Sequence, residues 1–147
     1  MILLDTNVVS EPLRLAGDVG VLKWIDEQII ETLFLSTISL AELRFGIAAL
    51  PPGKRRDTLH TSLEQRILPL FVNRILPFDT AASEAYAVLR ARARAQGKAI
   101  APADGYIAAT ATTHGLIVAT RDTGPFEAAG LAVINPWGQQ HINKYTV

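Results

Sequence analysis

Short apolar runs that alternate with helical patterns constrain the fold of this chain more than any other feature. The runs predict four strands and a weaker fifth, at residues 1–4, 32–35, 75–78, 116–119 and 132–134. Apolar residues recur at helical spacing between them, as at Val19, Leu22 and Ile29 after the N-cap candidate Asp18. Further helices are predicted over residues 40–50, 59–67, 82–96 and 103–113. Strands that are apolar throughout and separated by helices favour an α/β protein, with helices on both faces of a parallel sheet.

Length and composition exclude several classes of protein. The chain has 147 residues, of which 49% are hydrophobic, so we expect one folded domain over 1–147, with a polar tail at 138–147. It has no cysteine, which excludes thiolate metal sites, iron–sulfur clusters and disulfides. No signal peptide is recognisable, and no run without Asp, Glu, Lys or Arg, residues 105–120 included, is long enough to span a membrane. We therefore expect a cytoplasmic protein that makes no membrane contact.

The net charge of zero hides an uneven distribution of charge. Residues 1–52 hold seven acids and three bases, residues 53–98 hold nine bases and four acids, and residues 99–147 hold three acids and two bases. Ordinary solvated helix faces would explain this distribution. The alternative is an acidic site beside a basic surface, which would suit a polyanionic substrate.

Four carboxylates are placed where the predicted topology would bring them together. Asp5 and Asp122 follow the first and fourth predicted strands. Glu42 and Asp104 fall in the predicted first turns of two helices. Parallel strands end at one edge of a sheet, and the helices that follow them begin there, so these side chains can converge.

Each of these acids also has an ordinary structural explanation. Ser39 and Glu42 have the spacing of a capping box, Asp104 is a normal first-turn acid, and Asp122 could form an Asx turn. Asp79 follows the third predicted strand, and we interpret it as a helix cap.

Electrostatics favours a bound cation if the four carboxylates do converge. Two carboxylates about 4 Å apart repel by roughly 1–4 kcal/mol, so four in one site require protonation or a cation among them. Oxygen ligands without histidine or cysteine favour Mg²⁺ or Mn²⁺. Such an ion activates water for phosphodiester hydrolysis.

Other chemistries have less support in the sequence. The sequence has three histidines, His60, His114 and His141, and they are not spaced as metal ligands. Phosphate-binding glycine loops and a nucleophile elbow are absent from the sequence. An aspartyl-phosphate phosphatase with Asp5 as nucleophile is disfavoured, because Asn7 stands where a second aspartate is wanted.

Four segments together resemble the motifs of PIN-domain ribonucleases. They are MILLDTN (1–7), SLAELRFG (39–46), ADGYIAATA (103–111) and ATRDTG (119–124). They are most similar to VapC toxins of bacterial toxin–antitoxin modules, in particular the FitB-like branch. Many VapC proteins have asparagine at the position of Asp122 and aspartate at that of Pro125, and the FitB-like branch resembles the version found here.

The resemblance implies a PIN-like α/β/α sandwich with a central parallel sheet of four to five strands, a homodimer and an Mg²⁺ (or Mn²⁺) cofactor. It implies an acidic catalytic metal cluster of Asp5, Glu42, Asp104 and Asp122. The neighbouring polar groups that would orient ligands or water are Thr6, Asn7 and Thr120. It also implies a cognate antitoxin, a small DNA-binding protein that would connect the chain to operator DNA only indirectly.

The leading hypothesis is therefore a metal-dependent endoribonuclease toxin that cleaves RNA with a metal-activated water, and the resemblance suggests 3′-hydroxyl and 5′-phosphate products. The candidates for guiding RNA are Arg44, Arg121, residues 54–56 and the arginines Arg90, Arg92 and Arg94. Helical geometry allows at most two of the last three to face one ligand. The alternative is a non-catalytic partner, a dimeric scaffold whose acidic site captures a basic segment of a DNA-binding antitoxin.

Overall fold

A five-stranded parallel sheet forms the centre of the molecule in the computed structural model, which describes residues 1–138. The strands are β1 (Ile2–Leu4), β2 (Leu33–Ser36), β3 (Ile75–Leu76), β4 (Ile117–Ala119) and β5 (Val133–Ile134). Their order is β3-β2-β1-β4-β5, and each neighbouring pair is parallel. All five predicted strands are confirmed, and β1 occupies the centre of the sheet.

Seven α-helices in the described part of the chain surround this sheet. They are α1 (Thr6–Val9), α2 (Val19–Asp26), α3 (Thr37–Ala48), α4 (Lys54–Thr61), α5 (Thr80–Ala95), α6 (Pro102–His114) and α7 (Gly124–Ala128). A π-helical turn, Ser62–Ile67, continues α4, and 3₁₀ turns cover Glu11–Leu13, Ile30–Thr32 and Leu68–Phe71. The predicted caps are confirmed for two helices, because Asp18 and Asp79 accept hydrogen bonds from the backbone of Val21 and Ala82.

The apolar core lies on both faces of the sheet. Ile2 and Leu4 of β1 belong to one buried cluster, whereas Leu3 belongs to the other, with Val118 and Phe126. Successive side chains of a strand point to opposite faces, so a strand that is covered on both sides must be apolar throughout. The predicted α/β class, with a central parallel sheet between helices, is therefore confirmed.

Some features differ from the sequence-based predictions or fall outside the structure. The short helices α1 and α7 were not predicted, and the helix expected over 40–50 begins earlier, at Thr37. Apart from Gly138, the predicted polar tail at 138–147 lies outside the described residues. Among residues 1–138, no helix combines the length and apolarity that a membrane crossing requires.

Candidate functional site: an acidic edge of the sheet

Asp5 lies at the carboxyl end of the central strand and begins α1. Its Oδ1 accepts a hydrogen bond from the backbone nitrogen of Thr6 at 2.8 Å, and its Oδ2 accepts one from Oγ1 of Thr120 at 2.8 Å. Only 6% of the residue is exposed. Both carboxylate oxygens are thus fixed, and the carboxyl group is largely removed from water.

Burial raises the pKa of Asp5 to about 6. The hydrogen bonds from Thr120 and Thr6 act in the opposite direction, and the charges of Asp104 and Glu42 add to the increase. Glu42 and Asp104 are distant from Asp5 in the chain, yet both lie near enough in space for their charges to act on its carboxyl group.

Thr120 and Asn7 connect β1 to the loop after β4. Thr120 Oγ1 donates to Asp5 and accepts from the backbone nitrogen of Asp122 at 3.1 Å. Asn7 approaches the same oxygen with Nδ2 at 3.5 Å and accepts from the backbone nitrogen of Arg121 at 3.3 Å. These bonds fix the orientation of Asp5 and the course of residues 120–122.

Glu42 does not serve as a helix cap, and the capping-box interpretation is wrong. Helix α3 begins at Thr37, and its cap is Ser36, whose Oγ accepts from the backbone nitrogen of Ser39 at 3.0 Å. Glu42 therefore lies in the second turn of α3 rather than in the first. Its Oε1 accepts a hydrogen bond from Oγ1 of Thr6 at 3.1 Å. Helix capping therefore does not explain why Glu42 lies beside Thr6.

Ser39 is a member of the site that the sequence analysis missed. It is fully buried, and its Oγ lies 3.0 Å from Oγ1 of Thr6. Ser39 stands three residues before Glu42 and so shares its helix face. That spacing was the available signal, but it was interpreted as a cap.

Asp104 and Asp122 are the other two acids at this edge of the sheet. Asp104 lies in the first turn of α6, as predicted, and Asp122 is exposed in the loop between β4 and α7. Partial burial raises the pKa of Asp104, and the charges of Asp122 and Glu42 raise it further. We refer to Asp5, Glu42, Asp104 and Asp122 together as the acidic site.

The donor set of the acidic site fits a hard divalent cation. It offers carboxylate and hydroxyl oxygens, and the ion pairs found within residues 1–138 include none of its four acids. No three His, Cys, Asp or Glu side chains of those residues are already gathered as a metal-binding group. Mg²⁺ does not need three gathered carboxylates, because it usually takes one or two directly and retains several waters.

Two of the arginines predicted to guide RNA, Arg44 and Arg121, interact with other side chains of the protein. Arg44 forms a two-point ion pair with Glu64, in which Nε and Nη2 lie 2.8 and 3.0 Å from the carboxylate oxygens. The Arg121 guanidinium lies 5.3 Å from the ring centre of Trp137. Arg44 is thus already neutralised, whereas Arg121 keeps its net charge beside Asp122.

The PIN domain family model matches residues 2–131. A VapC ribonuclease of Sinorhizobium fredii is 61% identical over 137 residues, covering 93% of this chain and 98% of that protein. The toxin FitB of Neisseria gonorrhoeae is 58% identical, covering 93% and 99%. Among solved structures, FitAB bound to a DNA fragment superposes with a TM-score of 0.92 at 55% identity, covering 97% of this chain and 99% of that one.

Proposed function

Because the chain belongs to the PIN domain family, among its VapC and FitB toxins, we propose that it is a metal-dependent endoribonuclease and the toxin of a toxin–antitoxin pair. One observation carries the metal dependence. Asp5 is buried, its carboxylate is held by Thr6 and Thr120, and the nearest charges that affect it are those of two more acids, Asp104 and Glu42. Above the raised pKa of Asp5, where its carboxyl group has lost its proton, such an arrangement is costly for a folded protein unless a cation is bound there.

The acidic site would hold Mg²⁺ or Mn²⁺ through Asp5, Glu42 and Asp104, with Asp122 as a further or water-mediated ligand. The bound ion would supply Lewis-acid activation of water and neutralise charge on the phosphate. Thr120 and the Thr6 amide hold the Asp5 carboxylate in one orientation. The Thr6 hydroxyl does the same for Glu42. These groups position the ligands, and their loss is expected to weaken metal binding without removing a ligand.

The proposed partners follow from the family. This chain matches the structure of FitAcB from Neisseria gonorrhoeae with a TM-score of 0.91, and the structure of FitAB bound to a DNA fragment with a TM-score of 0.92. We therefore propose a cognate antitoxin that binds DNA, a homodimer of this chain, and contact with operator DNA only through the antitoxin. RNA is the substrate.

The test compares three versions of the full chain on a mixed single-stranded RNA, with Mg²⁺ and with EDTA. The wild type is expected to cut RNA only with Mg²⁺. Asp5→Asn is expected to lose more than about 100-fold in cleavage rate, because even the loss of groups that only orient a ligand costs about 10–100-fold. The matched control, Glu11→Gln, also changes a buried acid to its amide, but it lies outside the acidic site.

Binding of Mn²⁺, measured by calorimetry, separates this proposal from its alternative. The wild type is expected to bind Mn²⁺, and Asp5→Asn is expected to bind it more weakly. A wild-type chain that binds no Mn²⁺ and cuts no RNA, yet captures a basic peptide, would instead be the non-catalytic scaffold. Equal cleavage by Asp5→Asn and wild type would contradict the assigned site.

A further inference from the structure

A basic groove lies between the face of α5 that carries Tyr86 and Arg90 and the segment that leads into α6. It has a volume of about 570 Å³, and its lining includes Tyr86, Arg90, Arg94, Lys98 and Ile100. The first three of these recur every four residues and so share one face of α5, and Lys98 continues the series just beyond the helix. Arg92 does not line the groove, so two of the three α5 arginines share it.

The three cations of the groove are not neutralised by the described part of the chain. The ion pairs within residues 1–138 involve Arg14, Lys23 and Arg44, and none involves a cation of the groove. The groove therefore presents uncompensated positive charge, in contrast to Arg44, which Glu64 neutralises. Arg94 and Lys98 are exposed.

Arg90 is held in place and connects the groove to the acidic site. Its Nη1 donates to the hydroxyl of Tyr86 at 2.6 Å, and its guanidinium lies 5.3 Å from the centre of that ring. A Cβ atom added to Gly105 would stand 2.8 Å from the Tyr86 ring and 3.4 Å from Cδ of Arg90. Both side chains thus pack against the residue that follows Asp104 in the chain, so one end of the groove lies near this acid.

We propose that this groove binds the sugar–phosphate backbone of single-stranded RNA on one side of the scissile phosphate. The inference deepens the proposed function and rests on it. Arg90 and Arg94 are separated by about 6 Å along the helix axis, which is comparable to the distance between successive phosphates of an extended strand. A row of such cations fits a polymer of regularly spaced anions, whereas one small anion would engage only part of it.

Each cation of the groove would bind a different phosphate of the RNA strand. Arg90, restrained by Tyr86, binds the phosphate nearest Asp104, while Arg94 and Lys98 bind phosphates farther along the strand. Phosphate contacts position a strand without reading its bases, so the groove contributes affinity and direction but no sequence preference.

The experiment measures binding of a fluorescein-labelled single-stranded RNA of mixed sequence by anisotropy, across a series of KCl concentrations. The protein is the full chain with Asp5→Asn, so that the RNA stays intact. Each lost phosphate contact lowers the salt slope by about 0.7 for a single strand. Arg94→Gln combined with Lys98→Gln is therefore expected to reduce the loss of affinity between about 50 and 200 mM salt by about sevenfold.

Arg92→Gln is the matched control, because it removes the same charge from the same helix outside the groove. It is expected to keep the slope of the Asp5→Asn parent. Arg90 is left intact in these variants because its contacts with Tyr86 and Gly105 also support packing. The oligomeric mass of each variant is measured by light scattering, and a polyglutamate peptide serves as a second, non-nucleic anion.

A flatter RNA slope for the double variant, with an unchanged mass and the parent slope for Arg92→Gln, supports the proposal. Equal slopes for the groove variant and the control overturn it. So does a change in mass that accompanies lost binding, or a variant that weakens polyglutamate but not RNA. Failure of the proposed function is distinguishable, because it would show as a wild type that does not cut RNA with Mg²⁺, whereas the slopes are measured on a chain that does not cut.

Discussion

Two buried carboxylates of this protein, those of Glu11 and Asp5, have opposite electrostatic surroundings. Glu11 is only 2% exposed and Asp5 only 6%. Glu11 accepts hydrogen bonds from Arg14 at 3.1 and 3.4 Å, and the Asp18 backbone nitrogen lies 3.5 Å from it. Asp5 receives hydrogen bonds from two neutral groups, and the charges that reach it are negative.

The difference between them shows how burial alone fails to identify a functional acid. A buried carboxylate that pairs with a cation of the same chain is already neutralised and has a structural role. Here it connects the turn at Glu11–Leu13 to the start of α2. A buried carboxylate among other carboxylates is balanced only by a proton or by an ion from outside the chain. Three tests bear on this contrast, and their expected effects decrease in the order given.

The pH dependence of stability should carry the signature of Asp5. Its pKa is about 6 in the folded chain, compared with 3.8 for an ordinary aspartate. Between these two values the folded state binds more protons than the unfolded state, so stability falls as pH rises. Without metal, the free energy of unfolding should therefore decrease by about 2 kcal/mol from pH 4 to pH 6 through this group.

Urea unfolding of wild type and Asp5→Asn across that pH range measures the effect as a difference, which removes the contribution of the other carboxylates. The asparagine variant should lack this part of the pH dependence. Parallel profiles for the two proteins would mean that Asp5 is as well solvated in the folded chain as in the unfolded chain.

Isosteric amides should move stability in opposite directions at the two buried acids. At neutral pH without metal, Asp5→Asn removes an uncompensated buried charge, which stabilises the fold, and loses one hydrogen bond of about 1 kcal/mol, which opposes this gain. The net stabilisation should be about 1–2 kcal/mol. Glu11→Gln weakens a charge-assisted bond to Arg14 and should destabilise by about 1–2 kcal/mol. Thermal melts in EDTA measure both, and two shifts of the same sign would remove the contrast.

Asp104 provides the test with the smallest expected change in stability. It distinguishes an acid of the acidic site from a helix cap, because Asp104 also occupies a first helical turn. Its charge is disfavoured by partial burial, Asp122 and Glu42. Asp104→Asn without metal should therefore melt at the same temperature as wild type or slightly higher. Asp79→Ala is the control for a true cap, since Asp79 accepts from the Ala82 nitrogen at 3.0 Å, and it should cost about 0.5–2 kcal/mol. A comparable loss for Asp104→Asn would assign it a capping role.

Much of the fold could be predicted from local pattern. Strands covered on both faces must be apolar along their whole length, and this is why five short runs were sufficient to predict the sheet. Asp18 and Asp79 were recognisable as caps because a cap acts on an amide only three residues away. Such local interactions are encoded in adjacent residues.

The start of α3 shows where local pattern fails. Ser36 and Ser39 are both acceptable N-caps, and Ser39 has Glu42 at the spacing of a capping box. The structure places the cap at Ser36, where β2 ends, and buries Ser39 against Thr6. The strand determined where the helix could begin, and that in turn moved Glu42 out of its first turn and toward Asp5.

The sequence by itself determined the strands, most of the longer helices, the parallel sheet and the acids placed at one of its edges, because these depend on hydrophobic periodicity and on the direction of parallel strands. Only the tertiary structure decided which charges are compensated. Arg44 is neutralised by Glu64, twenty residues away in the chain, while Arg90 and Arg94 pair with no acid in the described part of the chain. Coulombic interactions depend on distance in space and on burial, and neither quantity can be read from the order of residues.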